Sequence, residues 1–177
     1  LDTSKELTGI HHAQINVKDY GEIQVELDAD TAPVTVTNFV KLAQEGFYDG
    51  LTFHRIMDGF MVQGGGMNEK MIEKPTQAAI KNEASNGLKN TRGTLAMART
   101  NNPDSATSQF FINVANNDFL NKAAGNPGYA VFGKVTKGME IVDKMVNVPT
   151  GSYGMYQDVP KQPIKILSIS YKTVPTK

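Results

Sequence analysis

The sequence contains no cysteine, carries no net charge and has no long apolar segment. Without cysteine among its 177 residues, the protein has no disulfide, no thiol nucleophile and none of the thiolate ligands that most structural zinc sites use. Its 18 basic and 18 acidic residues balance, so the composition indicates no electrostatic surface for nucleic acid or for an anionic membrane. No stretch of about 18 apolar residues occurs, and the sequence therefore predicts no membrane-spanning helix.

The length and composition suit a single domain. The chain is 40% hydrophobic, and a chain of this size buries roughly 68 to 70% of the surface that its unfolded form exposes. We predict an N-terminal tether or extension over residues 1–9, a folded domain over residues 10–172 and a C-terminal tail over residues 173–177. The chain begins at Leu1 and not at methionine, which we interpret as a processed or trimmed N-terminus. This favours an extracytoplasmic protein, with the cytoplasm as the alternative.

Hydrophobic periodicity predicts many short strands and two helices. In residues 22–27 apolar side chains alternate with Glu and Gln, the pattern of a strand with one solvated face. Further strands are predicted at residues 11–17, 52–57, 60–64, 94–98, 109–114, 130–135 and 164–171. One helix is predicted over residues 33–45, with Thr31 as its capping candidate and Gly46 at its exit, and a second over residues 138–145.

The connections between these elements favour an antiparallel barrel or sandwich. Turn dipeptides at Asp49-Gly50, Asp58-Gly59 and Asn86-Gly87 separate short strands, as they do in antiparallel sheets. The loops at residues 67–88, 100–108 and 121–128 exceed the usual connection length. We expect these long loops to shape a groove on the surface.

The run FHRIMDGFMVQGGG, residues 53–66, places one arginine among apolar side chains in a predicted strand. Only the turn residue Asp58 offers a carboxylate within the run. Two interpretations of Arg55 remain open on this pattern. It is either a surface arginine whose aliphatic stem is packed, or a cation held ready for a substrate. The neighbouring His54 is expected to face the barrel interior as a hydrogen-bonded core histidine.

A second run, GTLAMARTNNPDSATSQFFINVANNDFL at residues 93–120, contains a strand with two different faces. Alternation places Phe110, Ile112 and Val114 on one side, which is typical of a core. The other side carries Gln109, Phe111 and Asn113. A ring beside amides is unusual for a solvated face and indicates a recognition surface.

The two runs, with GYAVFGKVTKGMEIVDKM at residues 128–145, resemble the cyclophilin family of peptidyl-prolyl cis/trans isomerases, most nearly its bacterial members. The resemblance extends over about residues 21–171. It implies a mainly β fold, namely a closed eight-stranded antiparallel β-barrel capped by two α-helices. It also implies an enzyme that accelerates rotation about Xaa-Pro bonds and thereby assists protein folding. The alternative is a non-catalytic module that holds proline-containing peptides, as a chaperone or scaffold does.

Carried over residue by residue, the resemblance implies a site with no metal and no cofactor. The implied catalytic residues are Arg55, Gln63 and Phe60. The implied substrate-binding residues are Met61, Ala98, Arg99, Gln109, Phe111, Phe119, Leu120 and Tyr129. The expected partners are proline-containing peptides and unfolded protein segments, bound by a monomer. Phe119 stands where many relatives carry tryptophan, so we expect weakened affinity for cyclosporin.

The chemistry of prolyl isomerisation agrees with the absence of an obvious nucleophile. Rotation about the imide bond breaks only resonance, with a barrier of about 20 kcal/mol, and needs no proton transfer. A hydrolase is a distant third interpretation, because no histidine is suitably placed for Asp104, Ser105 or Ser108.

Overall fold

A computed structural model describes residues 1–172 of the protein, so the predicted C-terminal tail at residues 173–177 lies outside the described residues. The elements are β1 (Ile10–Val17), β2 (Gly21–Asp28), α1 (Pro33–Gln44), β3 (Arg55–Met57), β4 (Met61–Gly64), β5 (Thr94–Met97), β6 (Phe110–Asn113), β7 (Val131–Lys137), α2 (Met139–Met145), β8 (Thr150–Tyr153), β9 (Tyr156–Pro160) and β10 (Ile166–Lys172). No helix within residues 1–172 is both long and apolar enough to cross a bilayer.

Eight of the ten strands form one antiparallel sheet, in the order β10-β1-β2-β7-β5-β6-β4-β3. The prediction of a mainly β, eight-stranded antiparallel fold with two helices is confirmed. The sheet differs in being open, because its first and last strands share no continuous ladder. The seam between them is spanned by an isolated bridge between Thr52 and Lys165 and by a hydrogen bond from the Phe53 N–H to the Ile164 carbonyl.

The two ends of helix α1 are stabilised in different ways. The predicted capping role of Thr31 is wrong, since the cap residue is Ala32 and it makes no side-chain capping bond. The free N–H groups of Val34 and Thr35 instead donate to the carboxylate of Glu83, from a distant loop. A negative charge there also suits the helix dipole. The predicted exit at Gly46 is confirmed, with a φ of 71° that favours glycine.

The core is divided into two clusters by the sheet. The larger cluster lies on one face, where Phe110 and Ile112 of β6 pack with α1 residues such as Phe39. The smaller one consists of Met61, Ala96, Phe111, Leu120 and Val131. The alternation predicted for β6 is therefore confirmed, and Phe111 lies in a separate, smaller apolar cluster near the surface.

Two segments adopt structures that the hydrophobic pattern did not predict. In the N-terminal segment, Leu7 is buried in the larger cluster and its N–H donates to Thr37 of α1. The second segment is the hairpin of β8 and β9, which forms a separate two-stranded sheet and lies against β3.

Candidate active site

Strand register brings the two sequence runs into one row. Arg55 of β3 lies opposite Gln63 of β4, which lies opposite Phe111 of β6, which in turn lies opposite Ala96 of β5. Directly opposed residues in antiparallel strands have Cβ atoms roughly 5 Å apart. The row therefore places a cation, an amide and an aromatic ring side by side on one face of the sheet.

This row forms the floor of a cavity of about 140 Å³. Nine of the eleven residues predicted for the site line it together, drawn from strands β3, β4 and β6 and from the segments that connect the strands. They are Arg55, Phe60, Met61, Gln63, Ala98, Arg99, Phe111, Leu120 and Tyr129. Six of the nine side chains are apolar or aromatic and the other three are polar or charged, and the cavity is open to solvent. Its size and shape suit one small ring.

Arg55 is held in the cavity wall by neutral partners. Its Nη1 donates to Gln63 Oε1 at 3.3 Å, and its Nη2 contacts the sulfur of Met57 at 3.6 Å. None of the salt bridges found within residues 1–172 includes Arg55. Its positive charge is therefore directed into the cavity without a carboxylate to offset it.

The two remaining predicted residues stand beside the cavity and do not line it. Gln109 accepts a hydrogen bond from Gln63 Nε2 at 2.9 Å, which extends the chain of amides behind Arg55. Gly66 leaves room for this arrangement, because a Cβ at residue 66 would overlap the Gln109 side chain. Phe119 lies at the rim, 66% exposed, with its ring centroid 5.6 Å from that of Phe60.

Arg99 and Tyr129 form a rigid pair at one end of the cavity. The Arg99 guanidinium stacks on the Tyr129 ring at 4.2 Å from its centroid and donates to the backbone carbonyls of Gly128 and Thr100. Tyr129 meets Phe111 edge to face, with centroids 5.9 Å apart. Such stacking of arginine on an aromatic ring stabilises both side chains.

A buried asparagine network supports the cavity walls, and the sequence analysis missed it. Asn113 donates to Asn90, and Asn117 donates to Asn113 and to the Phe60 carbonyl. Asn90 also donates to the carbonyls of Leu120 and Tyr129. These amides join the loops that carry three wall residues. The three asparagines are far apart or separated by other residues in the sequence, and their spacing did not indicate that they contact one another.

Two of the three long loops form a second cavity next to the first, so the prediction that the loops shape a groove is confirmed for these two. This cavity of about 300 Å³ lies beyond Gln63, Ala98 and Arg99, which line both cavities. Loops 67–88 and 100–108 supply its other walls, including Glu73 and Thr107. The two cavities together form a groove across the sheet.

The prediction that His54 is a hydrogen-bonded core histidine is half wrong. The residue is buried, with 6% of its surface exposed, but its Nδ1 has no hydrogen-bond partner among residues 1–172. It lines a small cavity beneath the β8–β9 hairpin with Tyr153 and Val159. Burial, and then the neighbouring charge of Arg55, lower the pKa of His54 to about 4.

We expect this histidine to make stability fall at acidic pH. A pKa below the ordinary value of 6.5 means that folding favours the neutral ring. The contribution of the neutral ring to the free energy of unfolding is fully present above pH 6.5 and is lost as the pH falls towards 4. The total loss is roughly 3 kcal/mol. Urea unfolding at pH 7 and pH 4.5 should therefore show a smaller pH dependence in His54→Gln than in the unsubstituted protein. Equal pH dependence in the two proteins would contradict the assignment.

Comparison with known proteins agrees with this geometry. The profile of the family described as "Cyclophilin type peptidyl-prolyl cis-trans isomerase/CLD" matches residues 12–171. A peptidyl-prolyl cis-trans isomerase of Acinetobacter baylyi is 61% identical over 156 residues, covering 88% of this chain and 83% of its own. Peptidyl-prolyl cis-trans isomerase B of Escherichia coli is 54% identical over 155 residues, covering 86% of this chain and 94% of its own.

Solved structures show the same fold. The crystal structure of a cyclophilin-type isomerase of Cryptosporidium parvum superposes with a TM-score of 0.81 at 28% identity, covering 94% of this chain and all of that one. Fold, cavity and relatives thus lead to one conclusion: this chain belongs to the cyclophilin family and is a peptidyl-prolyl cis-trans isomerase.

Proposed function

We propose that Arg55 is the catalytic cation of this isomerase, assisted by Gln63 and Phe60. The observation that carries the proposal is the position of the guanidinium, in the wall of a cavity with mostly apolar side chains, where its hydrogen-bond partners within residues 1–172 are an amide and a thioether. The amide chain through Gln109 orients Gln63, and Gln63 orients Arg55. The substrate-binding residues lie in the cavity, at its rim or, for Gln109, in the adjoining second cavity, and they are Met61, Ala98, Arg99, Gln109, Phe111, Phe119, Leu120 and Tyr129.

The substrate is a proline-containing segment of a flexible or unfolded polypeptide. A second structure of the Cryptosporidium isomerase was solved in the presence of the dipeptide Ala-Pro, with a TM-score of 0.79 to this chain. This supports a prolyl peptide as the ligand of the present protein as well. The prolyl ring enters the cavity between Phe60, Phe111 and Leu120, and the residue before it lies along the backbone of Ala98 and Arg99 in strand-like hydrogen bonds.

Arg55 stabilises the twisted state more than the planar one. In the planar imide the nitrogen lone pair is delocalised and accepts a hydrogen bond poorly. As the bond twists, that lone pair localises and the guanidinium N–H donates to it. The interaction therefore strengthens on the way to the transition state, which is what lowers a barrier.

The energetics require more than this one hydrogen bond. A barrier of about 20 kcal/mol permits roughly 0.01 turnover per second, and a rate of about a thousand per second requires lowering it by ~7 kcal/mol. A charge-assisted hydrogen bond contributes about 1.5 to 3 kcal/mol. The apolar cavity supplies a further part, because it removes water from the imide and strengthens the interaction with Arg55.

The binding site can be tested by methyl NMR during titration with a short Ala-Pro peptide. Met61 lies in the cavity wall, and we expect its methyl signal to shift in a saturable way. Met145 is equally buried but lies in the larger core cluster, so its signal serves as the matched control. Exchange spectroscopy on the same samples should show accelerated cis-trans interconversion. Shifts that leave Met61 unaffected, or binding without acceleration, would contradict the proposal.

We further predict weak binding of cyclosporin with isomerase activity retained. Phe119 keeps an apolar rim but lacks the indole N–H of tryptophan, which would donate a hydrogen bond. A neutral hydrogen bond contributes about 0.5 to 1.5 kcal/mol, so Phe119→Trp should tighten cyclosporin about 2- to 10-fold. Calorimetric titration of both proteins measures this directly. Equally tight binding by the two would show that the rim residue does not limit affinity.

A further inference from the structure

The β8–β9 hairpin concentrates exposed apolar side chains at its tip. Eight large hydrophobic residues are exposed within residues 1–172, and three of them fall in the four residues 153–156. Tyr153 is 51% exposed, Met155 88% and Tyr156 38%. Scattered apolar side chains need no explanation, but a cluster on one protruding turn is typical of an interaction surface.

The hairpin continues the direction of the substrate groove. The floor of the cavity extends from Phe111 on β6 through Gln63 on β4 to Arg55 on β3. Strand β3 is the edge of the large sheet, and the next element against it is β9. A ligand that crosses the floor in this direction and passes Arg55 therefore meets the hairpin.

The proposed direction of the peptide determines which residues reach the tip. The residue before the proline lies at Ala98, directly after β5, which is the opposite end of the row from β3. The chain after the proline therefore leaves over Arg55. Adjacent elements are roughly 5 to 10 Å apart and an extended residue spans about 3.3 Å, so the second to fourth residues after the proline reach the hairpin.

We propose that the tip of the hairpin, Tyr153 to Tyr156, binds apolar side chains located two to four residues after the proline of the substrate. This inference rests on the proposed orientation of the peptide in the cavity. An unfolded polypeptide offers such side chains, whereas a folded surface mostly does not. The tip thus favours unfolded segments over short peptides and over exposed prolines of folded proteins. The adaptable thioether of Met155 suits a surface that accepts varied sequences.

The test is a double-mutant cycle between enzyme and peptide. Two nine-residue peptides differ only in leucine or serine at the third position after the proline, and a tetrapeptide ending one residue after the proline serves as the short substrate. We expect Met155→Ser to raise the KM for the leucine peptide about 3- to 10-fold. Its KM for the serine peptide and its kcat/KM for the tetrapeptide should stay unchanged. Leu167→Ser, at a similarly exposed position of β10, is the matched control.

Each outcome decides the question. If Met155→Ser weakens all three substrates alike, the hairpin acts only through structure and the proposal is wrong. If it weakens none, the tip does not contact the substrate. A third nine-residue peptide carries leucine before the proline and serine after it. If Met155→Ser raises the KM for this peptide instead, the proposed peptide direction is wrong. Loss of tetrapeptide turnover in Arg55→Ala is measured separately, so failure of the hairpin proposal remains distinguishable from failure of the catalytic one.

Discussion

Replacement of Arg55 by alanine is expected to lower kcat/KM for a Xaa-Pro peptide about 10- to 150-fold while the protein stays folded. This range is the rate equivalent of one charge-assisted hydrogen bond of about 1.5 to 3 kcal/mol. The loss should appear in kcat with little change in KM, because the guanidinium acts on the twisted imide more than on the planar one. Protease-coupled or NMR exchange kinetics on a tetrapeptide would measure both parameters.

Two further variants sharpen this result. Arg55→Lys should restore little activity, since a lysine is a point charge without the planar fork that Gln63 orients. Arg92→Ala is the control for loss of an arginine. Arg92 pairs with Asp143 at 2.7 Å outside the cavity, with 46% of each side chain exposed, and its removal should leave kcat unchanged. An undiminished rate in Arg55→Ala would remove Arg55 from the mechanism.

The second large effect is expected from Phe111→Ala. Phe111 is 4% exposed, packs with Met61, Leu120 and Val131, and forms the floor of the cavity. Truncation of a buried phenylalanine typically costs about 3 to 5 kcal/mol of stability. It also removes the surface that covers the prolyl ring, a contact of about 1.5 to 3 kcal/mol, so kcat/KM should fall roughly 10- to 150-fold, mainly through KM. Urea unfolding and steady-state kinetics separate the two effects.

The neighbouring residue offers a matched control. Phe110 lies on the opposite face of the same strand, in the larger core cluster. Phe110→Leu and Phe111→Leu should both destabilise the protein, but only the second should raise KM. If the two variants lose activity in proportion to their loss of stability, Phe111 has no separate role in binding.

The parts of the fold that could be predicted are those with a strong local pattern. Period-two alternation predicted β2, which has a partly solvated face, and the two chemically different faces of β6, although both faces of β6 are buried. The β8–β9 hairpin escaped prediction because its exposed aromatic and methionine side chains do not alternate with burial. The cap of α1 was also mispredicted. Its N–H groups bind Glu83, which lies 48 and 49 residues away and leaves no signal near the helix.

The candidate site was predicted chiefly through resemblance. Arg55, Gln63 and Phe111 were identified from their sequence runs, and the structure brings them into one row. Two placements differed in detail. Gln109 lies behind the cavity and Phe119 at its rim, because side-chain direction depends on the loops that pack around them.

The sequence alone determined the family, the number of large-sheet strands and the membership of most of the cavity, since these depend on local alternation and on motifs. Only the tertiary structure decided that the sheet is open, that His54 Nδ1 has no hydrogen-bond partner in the described part of the chain and that the asparagines join the cavity walls. It also decided that strand β9 of the hairpin contacts the edge strand β3. Each of these depends on contacts between residues far apart in the chain, and the geometry of such contacts is set by packing and not by local pattern.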